Sequence, residues 1–505
     1  MIGEEREPAP TLNPMLMTVG TALMRLSYSC LLKNGPHWTL EPDLAARVPS
    51  VQNGDLAKDG MTIVYHLRRG VIWQDGAPFD ARDLAFTFNA LFNPQNNFVT
   101  AFPYDDVASL KVLNDYTVRI RLHHPYSPMI DGFFADYRCS AILPAHILGR
   151  YPNMNDVPFN THPIGTGPYK VVSWKRGDRL VYVANALYFG GPPKIHRIID
   201  EFMDGSAIVA GLKTGEVDAA FRLSPVQYAN LIGTPGLRFV KTPMPSAAAL
   251  EFNLAQPIVN DRGVRLAVIS ALNIPAIARS LSHGLYDPEH AMRAMFGWAY
   301  DPKYHLPTYD PQRAKALLDA MGWRPGPDGV RAKGGQRLQL LLISSNDGMG
   351  SRVVVLVQAQ LAAVGIAVEI KTYSPLIYYA QPKDGGPVWG GHFQMMYIEN
   401  YFSPTDPDTS RLFACIYRHD EDDDNNSRYC NPALDRANDD ALRTTDRERK
   451  RRDYKEVQRI LMVDLPWLLL WQTTKIDVMT DRLHGFEGTP TLLSTYHAER
   501  WWLDR

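Results

Sequence analysis

The stretch from residue 337 to residue 398 constrains the fold of this 505-residue chain more than any other. "RLQLLLI" (337–343) is a short apolar run, and helical periodicity follows over 351–364. Then come "IAVEIKTY" (366–373), a short helical segment and "HFQMMYI" (392–398). Strand–helix–strand–helix–strand at this spacing requires right-handed βαβ crossovers, and so a parallel sheet. In open α/β sheets the ligand lies beyond the carboxyl ends of the strands. Reading past the three strand ends gives Ser344-Ser345-Asn346, Tyr373-Ser374 and Glu399-Asn400-Tyr401. That set can hydrogen-bond and stack on a small solute. Each member, taken singly, reads equally well as an ordinary loop residue.

The length exceeds what one core fills, so two or three domains are expected. The first half reads as sheet with short helices. "MTIVYHLRRGVIW" (61–73) alternates on Met61, Ile63, Tyr65 and Leu67, the period of a half-buried strand. An Asp75-Gly76 turn leads into a helix capped by Asp80, with Asp83 in its first turn and Leu84, Phe88 and Leu91 on one face. "PYKVVSWKRGDRLVYVAN" (168–185) is a hairpin turning at Arg176-Gly177-Asp178, and "GSAIVAGLKT" is a helix stopped near Gly215. In the second half, "YDPQRAKALLDAMGW" is a helix with Asp310 as N-cap, Pro311 at its first position and Gly322 as its stop. Thr445-x-x-Glu448 reads as the capping box of a long helix. Its basic run, Arg447 to Arg452, reads as a solvated face rather than a nucleic-acid patch.

Charge and motifs exclude several classes. The formal net charge is −1, so nothing asks for nucleic acid or an anionic membrane as partner. No apolar run approaches the roughly 20 residues of a membrane helix. There is no phosphate loop, no His-Glu-x-x-His and no Gly-x-Ser-x-Gly, although a hydrolase assembled from cleft carboxylates is not excluded. Gly165 and Gly167 in "IGTGPY" precede a strand and read as a close backbone turn, not a dinucleotide loop. The acidic run Asp420 to Asp424 lacks the turn glycine and final Glu of a calcium loop. Cys30, Cys139, Cys415 and Cys430 have no metal-binding spacing. Cys415 and Cys430 flank a polar loop that a disulfide would close, or they stand as two thiols; the residues leave both open. No cofactor or metal is called for.

Six segments in order carry a resemblance over nearly the whole chain: "EPDLAARVPS" (41–50), "VIWQDGAPFDARDLAFTF" (71–88), "PIGTGPYKVVSWKRGD" (163–178), "VNDRGVRLAVISALNIPAIARSL" (259–281), "YDPQRAKALLDAMGW" and "SRYCNPALDRANDDALRTTDRERKRRDYKEVQRIL" (427–461). They resemble the family 5 solute-binding proteins of ABC importers, the dipeptide and oligopeptide binders. The resemblance implies an α/β, periplasmic-binding-protein-like two-lobe fold of class II, cluster C type, with an extra subdomain in lobe 1. Lobe 1 would comprise 1–46, 165–245 and 476–505, the extra subdomain 47–164, and lobe 2 246–475. It implies a peptide ligand captured between the lobes, delivery to the transmembrane subunits of an ABC permease, a monomer, no catalysis, and a periplasmic location with the signal peptide removed. An oligosaccharide or opine-like solute is the alternative, and a sensor subunit would share the fold.

The same resemblance assigns site residues. "TLNPMLMTVGT" (11–21) is similar to the segment lining the first lobe, which places Met17, Thr18, Gly20 and Thr21 at the ligand. The family's amine-binding Asp precedes an Asp-Pro-Asp turn, here Asp406-Pro407-Asp408, and its position is held by Ser403. The carboxylate-binding Arg matches about Ser344. With both charged anchors replaced, Glu399 and Arg352 are the nearby substitutes; Tyr373 and Asn400 come from the strand ends, and Trp298, Tyr300, Trp389, Tyr397 and Tyr401 would stack on a neutral solute such as an oligosaccharide. A Cys415–Cys430 disulfide also matches some dipeptide-binding relatives.

Overall fold

The computed structural model describes residues 1–505 apart from 18, 19, 21, 99–102, 136–140, 289, 347, 404, 405, 420–424 and 505. Thr18, Thr21, Cys139 and the run Asp420 to Asp424 therefore lie outside the described residues. The chain forms two compact units, Met1–Pro243 with Lys475–Arg505, and Met244–Thr474.

The first unit begins with β1 (Ile2–Glu4). β2 (Thr62–His66), α1 (Ala81–Leu91), β3 (Val107–Asn114) and β4 (Thr117–Leu122) follow. β2, β4 and β3 form a separate antiparallel sheet in that order. The capping of α1 is reciprocal: the Asp80 carboxylate accepts the Arg82 N–H, and Asp83 accepts the Asp80 N–H. Asp83 also accepts from the indole of fully buried Trp73 at 3.1 Å. The Asp75-Gly76 turn thus delivers Trp73 to the helix start, with Gly76 at φ 95°. β5 (Tyr169–Lys175), β6 (Arg179–Ala184), β7 (Arg197–Phe202), α2 (Gly205–Thr214) and β8 (Ala219–Ala220) complete this part. Their sheet runs β8-β1-β7-β6-β5, with β1 parallel to both neighbours. Gly165 and Gly167 pack against backbone, and a Cβ on Gly165 would stand 1.8 Å from the Ser27 carbonyl oxygen.

The chain passes between units within β9 (Leu237–Phe252) and again within β13 (Trp467–Thr480). The second unit contains α3 (Arg262–Ala271), α4 (Pro311–Ala320), β10 (Gln339–Ser345), α5 (Gly350–Ala362), β11 (Ala367–Tyr373), β12 (Met395–Tyr401), α6 (Pro432–Leu442) and α7 (Arg447–Asp464). Strand order is β11-β10-β12-β9-β13, and β10 is parallel to β11 and β12 as the sequence spacing requires. Alternation along β9 sends Ala248, Leu250 and Phe252 to one face, against residues of α3, α4 and α5. Ala247 and Ala249 go to the other, against α6 and α7. A sheet buried on both faces explains why β10 reads as a continuous apolar run.

Boundaries at three ends, those of β10 and β12 and the start of α7, differ from the sequence reading. Ser344 and Ser345 belong to β10, and Glu399, Asn400 and Tyr401 to β12, because the ladders with β11 and β9 continue through them (Ser345 opposite Tyr373, Ser246 opposite Tyr401). The N-cap of α7 is Asp446, not Thr445: its carboxylate accepts the N–H groups of Glu448 and Arg449, a stronger hold on the helix dipole than a hydroxyl gives.

Candidate functional site at the strand ends of the second unit

The carboxyl ends of β10, β11 and β12 carry most of the residues read from sequence, but on two faces. Tyr397, Glu399 and Tyr401 alternate onto the face that carries α5. There α5 begins so close to the strands that a Cβ on Gly350 would lie 2.9 Å from the Ser345 carbonyl oxygen and 3.2 Å from the Tyr397 ring. The Tyr397 hydroxyl donates to Glu399 at 3.1 Å. Burial, and then the Glu399 carboxylate, push the Tyr397 phenol well above its ordinary range. Burial, and then the Glu399 carboxylate, raise the Tyr286 phenol as well, so its hydroxyl lies within the field of Glu399. Tyr286 stacks on Trp471 with ring centres 5.2 Å apart and planes 4° from parallel. Tyr401 is half exposed. Glu399 is therefore a half-buried carboxylate in a tyrosine surround. Arg352, in the first turn of α5, is exposed and has no ion pair among the described residues. Tyr286 was missed from sequence, because it lies in "HGLYDPEH", a segment without periodicity.

The remaining residues are more committed. Asn400 points to the opposite face and donates to the buried Glu251 carboxylate at 2.9 Å. Ser344 is fully buried, with its hydroxyl donating to the Ser345 carbonyl at 3.1 Å. Tyr373, Trp389, Trp298 and Tyr300 pack against the α6–α7 core. The Trp298 ring carries the Arg447 guanidinium 4.8 Å from its centre, and Arg451 lies over it at 5.8 Å. Ser403 accepts the Asp406 N–H at 3.1 Å. The Asp406 carboxylate is bound by Lys450 and by the Tyr454 hydroxyl, all three buried, and that of Asp408 accepts from Ser410. The basic run of α7 is thus not wholly solvated, since Lys450 faces inward. Cys415 and Cys430 form a disulfide with Cα atoms 4.4 Å apart, while Cys30 is buried.

In the first unit, Met17 is half buried and Gly20 exposed. A Cβ on Gly20 would lie 3.2 Å from the Met24 sulfur and 3.8 Å from that of Met17. Beyond this segment Ala22 is held on both sides: its N–H donates to Glu4 at 2.9 Å, and its carbonyl accepts from Ser494 at 3.0 Å. No group of three or more potential metal ligands occurs among the described residues, and no single described helix is long and apolar enough to cross a membrane.

The chain thus combines two compact units, the second an α/β unit with a polar, aromatic platform at its parallel strand ends. The profile of the bacterial extracellular solute-binding proteins, family 5 (middle region), matches residues 39–415, and the chain belongs to that family. It is 27% identical over 496 residues to the oligopeptide-binding protein AppA of Bacillus subtilis, covering 96% of this chain and 87% of AppA. It is 28% identical over 451 residues to the glutathione-binding protein GsiB of Salmonella paratyphi A, covering 88% and 84%. Among solved structures, NikZ of Campylobacter jejuni in complex with Ni(L-His) superposes with a TM-score of 0.81 at 26% identity, covering 99% of this chain and 98% of NikZ. These relatives are binding proteins.

Proposed function

We propose that this protein captures a peptide or peptide-like solute between its two lobes and hands it to the permease subunits of an ABC importer. It acts outside the cytoplasm as a monomer and without chemical change to the solute. The observation that carries the reading is Glu399, a half-buried carboxylate among Tyr397, Tyr286 and Tyr401, which suits a cationic amine. Arg352 offers a free guanidinium for a carboxylate. Met17, Thr18, Gly20 and Thr21 contribute from the first lobe, while Tyr373, Trp389, Asn400, Ser344 and Ser403 shape the walls and not the charged contacts. An oligosaccharide is disfavoured, because the solutes named for the relatives (oligopeptide, glutathione, a histidine complex of nickel) are built from amino acids.

A thermal-shift screen of peptides of two to eight residues beside a panel of oligosaccharides tests this. A ligand at 100 times its Kd adds about 2.7 kcal/mol to stability, a visible shift in Tm. Shifts with peptides are expected; shifts with sugars alone would replace the peptide reading.

A further inference from the structure

Two carboxyl groups in the first unit have no place in the site described above. Glu4 ends β1 and Asp200 lies on β7, strands that pair in parallel with Ile2 opposite Asp200 and Glu4 opposite Phe202. Both side chains therefore project to the same face, into the core that holds Ile2 and Ile198. Both are buried, Asp200 with 0% of its surface exposed and Glu4 with 4%. One Glu4 oxygen accepts the Ala22 N–H at 2.9 Å and lies 3.6 Å from the Arg222 guanidinium. Among the described residues, the other Glu4 oxygen and both oxygens of Asp200 meet no donor.

Three donor-free carboxylate oxygens sealed from water cannot sit beside two full negative charges. A proton on the pair turns one acceptor into a donor and removes a charge. Burial pushes Glu4 up to about 7, and pushes Asp200 well above the usual carboxylate range with the Glu4 charge adding to the rise. The groups facing the pair leave this ordering intact. Arg222 and Arg6 lower Glu4 only in part. Tyr182 of β6 and Tyr28 are buried phenols held neutral, and Tyr28 already donates to the Leu12 carbonyl. Asp477 of β13 is engaged with the Arg222 N–H and the Ser494 hydroxyl. Burial and the Glu4 charge both favour the protonated form of Asp200, which leaves Glu4 as the member that titrates at about 7.

We propose that Glu4 is a positioning residue for the Met17–Met24 segment, acting through the Ala22 amide, and that protonation of the Glu4–Asp200 pair loosens this hold. The amide bond to an ionised carboxylate is charge-assisted and shorter than one to a neutral acid. Ala22 is fixed on its other side by Ser494, so any slack appears toward Gly20, where an added Cβ would meet the Met24 and Met17 sulfurs. That this segment meets the solute rests on the reading under Proposed function; its coupling to Glu4 does not.

The test uses the full chain labelled with [13C-methyl]methionine, without added solute. In the unaltered protein the Met17 and Met24 methyl resonances, assigned by Met17→Leu and Met24→Leu, are expected to move between pH 5.5 and 8.5 with one midpoint near 7. Asp200→Asn, neutral and a donor like the protonated acid it replaces, should keep the transition with its midpoint near 7. Glu4→Gln should abolish the transition. Static methyl resonances in the unaltered protein would overturn the proposal without touching the peptide reading. A transition that survives Glu4→Gln would overturn it equally.

Discussion

Replacing Lys450 by methionine (Lys450→Met) removes the cation from a buried cluster while keeping most of the side-chain volume. Lys450 and Tyr454 stand one turn apart on α7 and both bind the Asp406 carboxylate, with all three residues less than a tenth exposed. Deleting one partner of a buried pair leaves an uncompensated charge and costs about 3–5 kcal/mol. The Tyr454 hydroxyl still donates to Asp406, so the lower end, about 3 kcal/mol, is expected. The double variant Asp406→Leu/Lys450→Met leaves no buried charge and should recover most of that loss. Urea unfolding at pH 7, with intrinsic fluorescence and circular dichroism followed together, measures both changes. A loss below about 1 kcal/mol for Lys450→Met, or a double variant no more stable than the single one, would refute the reasoning.

Other consequences are as definite. A Cβ on Gly167 would lie 2.5 Å from the Ser27 carbonyl carbon and 2.6 Å from the Leu26 carbonyl oxygen, so Gly167→Ala should cost about 3 kcal/mol or more in urea melts. Glu4 rises from 4.5 to about 7 on folding. Its stabilisation is therefore present below pH 4.5 and lost as pH rises through about 7. That loss amounts to about 3 kcal/mol, and Glu4→Gln should flatten the profile of unfolding free energy against pH. The Cys415–Cys430 bond closes a loop of sequence separation 15, so its reduction should cost about 3 kcal/mol, read as a lower Tm with reductant and in the Cys415→Ser/Cys430→Ser variant.

Most of the local punctuation was legible, because it is written in residues that act on their own neighbours. Asp80 with Asp83, Asp310 with Pro311, and Gly215 in a left-handed conformation all stand where the sequence put them. The parallel pairing of β10 with β11 and β12 followed from spacing alone; their order did not. What the sequence hid depends on distant partners. The ladder with β9 lengthened β12 through Tyr401, so residues read as loop became strand, and their alternation separated Asn400 from Glu399. Lys450 looked solvated within a basic run because its partner, Asp406, is 44 positions away. Tyr286 and the Glu4–Asp200 pair likewise carry no periodic or motif signal; only the folded chain brings them beside Glu399 and beneath Ala22.

The most direct test of the account is to denature protein purified without dialysis and identify any released solute by mass spectrometry, with Glu399→Gln protein prepared in parallel. The account predicts a peptide or peptide-like amine in near-stoichiometric amount from the unaltered protein. Glu399→Gln should retain about tenfold less, since a charge-assisted bond is worth roughly 1.5–3 kcal/mol. A stoichiometric sugar, or equal peptide retention by both proteins, would contradict it.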